Sequence, residues 1–227
     1  MERRAFLRTS ASCAVSLALY SCSTSPQASS ATAKEPSDDP VSRPGGNVLL
    51  VFFSRAGENY FYGGRTELAV GNTEVAARMI RDIAGGDVFQ VQPVDPYPHE
   101  YAATVQRNVR EQNENARPEI VDLPPSIDAY DTLIIGSPVW NVRAPRIMLT
   151  LAERYDFTGK TIYPFTTYAV SGLGRVVEEY TAAFRGAVVG EALAIRGEEV
   201  AGGRAEIEAW LQRIGVTPRA DSSERAR

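Results

Sequence analysis

The run Val48-Leu49-Leu50-Val51-Phe52-Phe53, continued by Ser54-Arg55-Ala56 and, after a polar excursion, by Gly71-Asn72-Thr73-Glu74, decides the fold. Six consecutive β-branched, aliphatic and aromatic residues predict a short strand buried on both faces, as in a parallel sheet. From Thr73 the pattern turns helical: Val75, Met79, Ile80 and Ile83 share one side up to about Ala84, and Gly85-Gly86 stops it. A strand that feeds a helix through small hydroxyl residues and glycine builds an anion site. Unpaired backbone N–H groups and the positive end of the helix dipole face the connecting loop.

Working outward, the chain alternates in the same way. Val88 to Val91 is a short second strand, and Glu100 to Asn115 a helix with Tyr101, Val105 and Val109 on its packed side and a polar remainder at the surface. Thr132 to Ile135 is a third strand, running directly into Gly136-Ser137-Pro138-Val139-Trp140-Asn141. Pro145 opens a helix to about Tyr155. Lys160 to Thr166 is a fourth strand, followed by the loop Thr167 to Gly174 and a helix to Phe184. Glu191 to Ile195 and Ala205 to Ile214 complete the series. This alternation predicts an α/β class, three-layer α/β/α, with a five-stranded parallel sheet whose ligand sits outside the carboxyl ends of the strands. The stretch 58–70, with Tyr60, Phe61, Tyr62, Gly63 and Gly64, reads as a long loop. It could be a lid, a partner surface or a loop packed on its own side chains, the last two being preferred.

The ends read differently. Arg3-Arg4-Ala5-Phe6-Leu7-Arg8 precedes the modestly apolar stretch Ala11 to Tyr20, a signal-peptide layout too short and Ser-rich to span a membrane. The arginine pair resembles a twin-arginine export signal, and Leu19-Tyr20-Ser21-Cys22 a lipoprotein processing box with Cys22 as the acylated residue. An ordinary start with a chance arginine pair is the plain alternative. Residues 1–22 are thus expected to be a signal and 23–46, rich in Ser, Ala, Pro and Asp, a disordered tether. Residues 47–216 are the domain and 217–227 a disordered tail. The expected location is the cell envelope, with the membrane touched only through a lipid on Cys22.

Composition excludes several functions. A net charge of −4 argues against nucleic acid as a partner. Both cysteines, Cys13 and Cys22, precede the domain, and His99 is the only histidine, so a zinc site or a thiol nucleophile has no ligands there. Ser137 lacks the G-x-S-x-G context of a hydrolase nucleophile. No lysine follows a glycine-rich loop as a nucleoside-triphosphate site requires, and Gly172-Leu173-Gly174 is only half of a dinucleotide fingerprint. A mononucleotide with one terminal phosphate fits better, because hydroxyls and backbone amides hold a phosphate without lysine.

Ser54-Arg55-Ala56 with Gly71-Asn72-Thr73-Glu74 resembles the flavodoxin phosphate loop split by an insertion, with Ala56 in place of a usual hydroxyl. Gly136-Ser137-Pro138-Val139-Trp140, with Ala144-Pro145 behind it, is similar to that family's flavin-ring loop, and Thr167 to Gly174 to its third loop. The resemblance implies the flavodoxin strand order 2-1-3-4-5 and FMN as cofactor. Ser54, Arg55, Ala56, Gly71, Asn72 and Thr73 would surround its phosphate. Pro138, Val139, Trp140 and Asn141 would lie along its ring, and Tyr168, Ser171 and Gly172 would close the other side. It further implies electron transfer with a redox partner protein or a small-molecule acceptor. An NAD(P)H-dependent quinone reductase and a flavin-free binding module remain alternatives on the same fold. Trp140 as a core or rim aromatic is the less favoured reading beside Gly-Ser-Pro at a strand end; Thr73 could be a plain helix cap, and His99 reads as an exposed helix-start residue.

Overall fold

The computed structural model describes residues 47–216; the expected signal, tether and tail lie outside the described residues. Strand β1 (Val48–Phe53) is central. Its side chains alternate between two cores, Leu49, Val51 and Phe53 on one face and Leu50 and Phe52 on the other, so every residue after Val48 is buried. That two-sided burial is why the run is apolar without alternation. β1 is flanked in parallel by β4 (Asp87–Val91) and β5 (Thr132–Pro138), β5 by β6 (Thr161–Tyr168), and β6 by two short strands, β7 (Val188–Val189) and β8 (Leu193–Arg196). Helices α1 (Asn72–Ala84) and α5 (Arg204–Arg213) cover one face through Ala76, Ala77, Ile80, Ile207, Trp210 and Leu211. Helices α3 (Arg146–Ala152) and α4 (Val176–Ala183) cover the other through Ile147, Met148, Leu151, Val176 and Tyr180.

Two features depart from the five-stranded expectation. The stretch 58–70 is not a loop: β2 (Gly57–Phe61) and β3 (Gly64–Leu68) form a separate antiparallel hairpin. Its turn residues Tyr62 (φ 43°) and Gly63 (φ 89°) are both left-handed, as a two-residue turn matched to strand twist requires. The main sheet then has six strands, because the expected fifth is broken. Tyr163 and Pro164 of β6 face the break, paired by neither β7 nor β8. Proline has no N–H to give to a neighbouring strand. The detour also skirts Tyr163, whose ring would lie 2.4 Å from a Cβ on Gly190, and lets Trp210 Nε1 donate to the Glu191 carbonyl at 3.1 Å. The main sheet, ordered β4-β1-β5-β6-β7 with β8 also on β6, is thus loosely consistent with the expected order 2-1-3-4-5 once the hairpin is set aside.

Helix α2 (Tyr101–Asn113) is turned relative to expectation. Its buried residues are the polar Thr104, Asn108 and Glu111, while Val105 and Val109 stay exposed. Glu111 is held by the Tyr97 hydroxyl at 2.8 Å and by Arg107 at 2.7 Å, which removes the penalty of burying a carboxylate.

In β5, Gly136 stands opposite Phe165 of β6, and a Cβ there would lie 2.0 Å from that buried ring. Gly136→Ala is therefore expected to lower the unfolding free energy by about 1–3 kcal/mol through overpacking. Gly202→Ala, with nothing within 4 Å, should stay within about 0.5 kcal/mol. Urea unfolding midpoints of the two variants check the contrast.

Candidate functional site

The carboxyl end of β1 and the N-terminus of α1 meet although the hairpin separates them in sequence. Gly57 pairs with Leu68, so the insertion leaves and returns at one point. Gly71, the N-cap of α1, rests directly on the first half of the loop: a Cβ there would lie 2.3 Å from Ser54 Oγ and 2.5 Å from the Arg55 carbonyl. Ser54 Oγ accepts the Glu74 amide at 3.1 Å, which leaves its own hydrogen free to donate. The amides of Glu74 and Val75 also reach the Gly71 carbonyl, while those of Asn72 and Thr73 have no acceptor among the described residues. Thr73 is buried, its Oγ1 2.7 Å from Thr167 Oγ1.

Arg55 follows Ser54 and works as a clamp. Its Nη1 donates to the carbonyls of Pro98 and His99 at 3.0 and 2.9 Å, and its Nη2 to the Glu58 carbonyl. Burial pulls its pKa down, opposed by the carboxylates of Glu67 and Glu58. Its Nε is buried and has no partner. His99 is exposed as expected, but its ring also joins the hairpin, 2.8 Å from Glu67 Oε1.

The second loop starts later than expected, since Gly136, Ser137 and Pro138 belong to β5. Ser137 is fully buried and accepts the Tyr180 hydroxyl at 3.0 Å. Val139 donates to the Thr167 carbonyl at 2.9 Å, and the chain then reverses in a tight turn, with Trp140 and Arg143 exchanging backbone hydrogen bonds of 2.9 and 3.1 Å. Asn141 (φ 49°) and Val142 (φ 58°) are both left-handed. Asparagine tolerates that region; a β-branched residue is strained in it. The turn is held from several sides. Gln112 of α2 donates to the Trp140 carbonyl at 3.1 Å and accepts from Asn141 Nδ2 at 2.9 Å, and the Arg175 amide donates to the Val142 carbonyl at 2.7 Å. Behind it the buried Glu179 accepts from Arg143 and from the Ala144 amide. The Trp140 ring packs edge-on against Phe53 and Tyr97, with centroids 5.5 and 5.0 Å away.

Strand β6 likewise runs on to Tyr168, so Thr167 and Tyr168 are strand residues rather than loop. Beyond them the third loop turns toward the second. Gly174 (φ 52°) lies against Val142, where a Cβ would be 2.4 Å from the carbonyl oxygen, and its amide donates to Ser171 at 2.9 Å.

These segments border a cleft of about 310 Å³. Of the residues singled out in the sequence, Ser54, Arg55, Asn72, Thr73, Pro138, Val139, Trp140, Asn141 and Tyr168 line it. Ala56, Gly71, Ser171 and Gly172 do not: Ala56 is exposed, Gly71 is buried under Ser54, and Ser171 and Gly172 belong to the segment that backs the Val142 turn. Three further walls were not among the site residues singled out. Asn59 and Tyr60 come from the hairpin, whose aromatic cluster had a lid as its less favoured reading. Tyr101, Thr104, Val105, Asn108 and Val109 come from α2, whose apolar stripe faces the cleft rather than the core. Gly197 and Glu198 come from the 3-10 helix Gly197–Gly202 that follows β8. The stripe was visible as an i, i+4, i+8 pattern, and the 3-10 helix as the loop at the carboxyl end of the last strand.

Gly197 packs on Asn72, with a Cβ there 2.4 Å from Nδ2. Glu198 Oε1 accepts the Tyr62 amide at 3.2 Å, joining the hairpin tip to the 3-10 helix, while Oε2 is buried without a partner. The lining of the cleft thus combines hydrogen-bond donors from the start of α1 with aromatic side chains. Among the described residues, a buried donor, Arg55 Nε, and a buried acceptor, Glu198 Oε2, have no hydrogen-bond partner.

A family model described as Flavodoxin matches residues 66–214. A candidate flavoprotein of Bacteroides uniformis is 28% identical with a TM-score of 0.59, the match covering 74% of this chain and 99% of that one. One from Bacteroides eggerthii is 27% identical with a TM-score of 0.58, covering 74% and 97%. A flavoprotein of Lactobacillus acidophilus, solved in complex with FMN, shares the fold at 18% identity and a TM-score of 0.52, covering 73% and 98%. No curated protein matches the chain.

The left-handed Val142 is 48% exposed, so its side chain contributes little packing to offset its strain. Val142→Asn is expected to raise stability by about 1 kcal/mol, the order of the left-handed penalty it removes. Thermal unfolding of the two proteins measures it.

Proposed function

The chain belongs to the flavodoxin family, and on that premise we propose that its cleft binds FMN and that the protein is an electron-transfer flavoprotein of the cell envelope. The observation that carries the reading is the mixed lining of the cleft: the Ser54 hydroxyl and the amides of Asn72 and Thr73, which among the described residues have no acceptor, together with Trp140, Tyr168 and the apolar stripe of α2. A phosphate matches the first set and a flat ring the second. The FMN complex of the Lactobacillus acidophilus protein, which has the same fold, supports it.

FMN supplies the redox chemistry; this chain supplies binding, orientation and exclusion of water. The helix N-terminus of α1 holds the phosphate through backbone amides and the dipole, without a lysine. Trp140, itself fixed by Phe53, Tyr97 and Gln112, offers the ring a wall that does not have to be ordered on binding. Tyr60 and Asn59 bring the hairpin to the cleft, which narrows the path for solvent. The charged side chains that line the cleft, Arg55 and Glu198, cancel formally, and Arg55 is committed to three carbonyls. A bound phosphate dianion therefore leaves the site negative, which disfavours adding an electron to the ring and lowers its potential.

Export through a twin-arginine signal would put the protein in the periplasm or, with a lipid on Cys22, on the outer face of the membrane. The twin-arginine route passes folded proteins and so suits one loaded with its cofactor beforehand. The partner is a redox protein or a small-molecule acceptor, and nucleic acid has no part in the reading.

Purified protein is expected to be yellow and to release FMN on denaturation. Trp140→Ala should weaken FMN binding by about tenfold, on the order of 1 kcal/mol for the aromatic contact plus lost burial, measured by quenching of flavin fluorescence. A redox titration should give a potential below that of free FMN. Absence of quinone-dependent NADPH oxidation would separate a carrier from a reductase, and a colourless protein that takes up no FMN would refute the assignment.

A further inference from the structure

The hairpin is tied to the body of the protein along its base and flank, and meets the 3-10 helix only through its tip. Base and flank hold to residues 98–101, at the start of α2. Arg55 clamps the carbonyls of Pro98, His99 and Glu58, and Glu58 Oε2 accepts the Tyr101 amide at 2.9 Å. Arg65 lies over the Tyr101 ring at 3.8 Å, and Glu67 meets His99 at 2.8 Å. At the tip, the Tyr62 amide donates to Glu198 Oε1 at 3.2 Å and the Tyr62 hydroxyl faces Glu199 Oε1 at 3.5 Å. Gly197, beside Glu198, packs on Asn72 at the start of α1, and Gly71 packs on Ser54. The tip contact therefore closes a circuit: Ser54, the hairpin, Glu198, Gly197, Asn72 and back to Ser54. Asn59, Tyr60, Gly197 and Glu198 on that circuit all line the cleft.

Two observations mark the tip as the link that opens. Among the described residues, none from 57 to 68 belongs to either hydrophobic core, and a two-stranded hairpin without a core is marginally stable in water. The tip residue is also one that turn chemistry does not favour. The first position of such a turn is left-handed and prefers Gly, Asn or Asp, yet it holds Tyr62, at φ 43° and 59% exposed. What a tyrosine adds there is a hydroxyl aimed at Glu199, on the far side of the circuit. Resting on the FMN assignment above, we propose that the hairpin is a gate over the cleft and that Tyr62 with Glu198 and Glu199 is its latch. The cofactor enters and leaves while the tip contact is broken, and the contact re-forms over the empty and the loaded cleft alike. A latch present in both end states and absent during passage controls the rates of exchange and leaves the affinity nearly untouched.

The test follows quenching of FMN fluorescence by stopped flow in the full-length protein and its Glu198→Ala, Glu198→Gln and Tyr62→Phe variants. Glu198→Ala is expected to raise the association and dissociation rates together, by about tenfold, the scale of one hydrogen bond, with the Kd unchanged. Glu198→Gln removes the charge but keeps an acceptor for the Tyr62 amide, and should stay near the wild-type rates. Tyr62→Phe loses only the hydroxyl and should raise both rates by a smaller factor. A change in the dissociation rate alone would mark Glu198 as a ligand contact and overturn the proposal. Equal acceleration in Glu198→Gln and Glu198→Ala would mark a charge effect and overturn it too, as would unchanged rates in Glu198→Ala. Chymotrypsin reads the latch without any flavin: cleavage at Phe61 and Tyr62 should be faster in Glu198→Ala than in wild type. Equal tip cleavage, or cleavage spread over the whole chain, would overturn the proposal. Wild-type protein that binds no FMN would overturn the cofactor assignment itself, a result distinct from FMN exchange that is indifferent to the latch.

Discussion

Everything at the cleft depends on the contact between Ser54 and the first turn of α1. Gly71 has room for no side chain there, because Ser54 Oγ and the Arg55 carbonyl occupy the space a Cβ would take. That closeness lets Ser54 cap Glu74 from another segment, and it leaves the amides of Asn72 and Thr73 pointing out of a helix anchored through Ala76, Ala77 and Ile80 in the core. An anion site made this way is rigid because its donors are backbone atoms of buried elements. It also explains how a hairpin can interrupt the loop. The insertion closes on itself at Gly57 and Leu68, so its two ends sit side by side and the contact survives.

The sequence made some of this legible and hid the rest for identifiable reasons. The Val48 to Phe53 run could only be a two-sided strand, and the alternation of strands and helices followed from it. The broken last strand was announced by Pro164 and Gly190, but only once their pairing partners were known. The hairpin was obscured because β2 and β3 lie over polar surroundings and show no apolar alternation: Glu58, Asn59, Arg65 and Glu67 serve hydrogen bonds, ion pairs and stacking rather than a core. Helix α2 misled most directly. An apolar stripe on a polar helix ordinarily marks the buried side, and here the buried residues are the polar Thr104, Asn108 and Glu111, while Val105 and Val109 stay exposed and, with Tyr101, Thr104 and Asn108, border the cleft. Periodicity reports which residues share a face, and it is silent on whether that face meets protein or ligand.

The same distinction sorts the residues around the ring end. Trp140 is held in place by a turn that spends strain at Val142, and that turn is backed by the segment from Ser171 and Gly172, both expected at the ligand, through Gly174 to the start of α4. The motif therefore located the neighbourhood of the cleft, while the fold decides which of its residues line it. Strand lengths account for the shift. β5 and β6 each extend past the residues whose apolar character marked them, to Pro138 and Tyr168, so strand ends supply contacts that had been given to loops.

Arg55 shows how far charge and role can diverge. In a loop that faces an anion site an arginine reads as the obvious counter-ion. Here its terminal nitrogens join three carbonyls of two different segments, the Pro98–His99 turn and Glu58 at the base of the hairpin. The planar fork suits that task, since it presents several donors in fixed directions, which a lysine does not. Only Nε is left over. The attraction for an anion thus comes chiefly from the helix terminus, a fixed dipole close to the loop, and the arginine's contribution is to keep loop, turn and hairpin in register so that the dipole faces a cleft of constant shape.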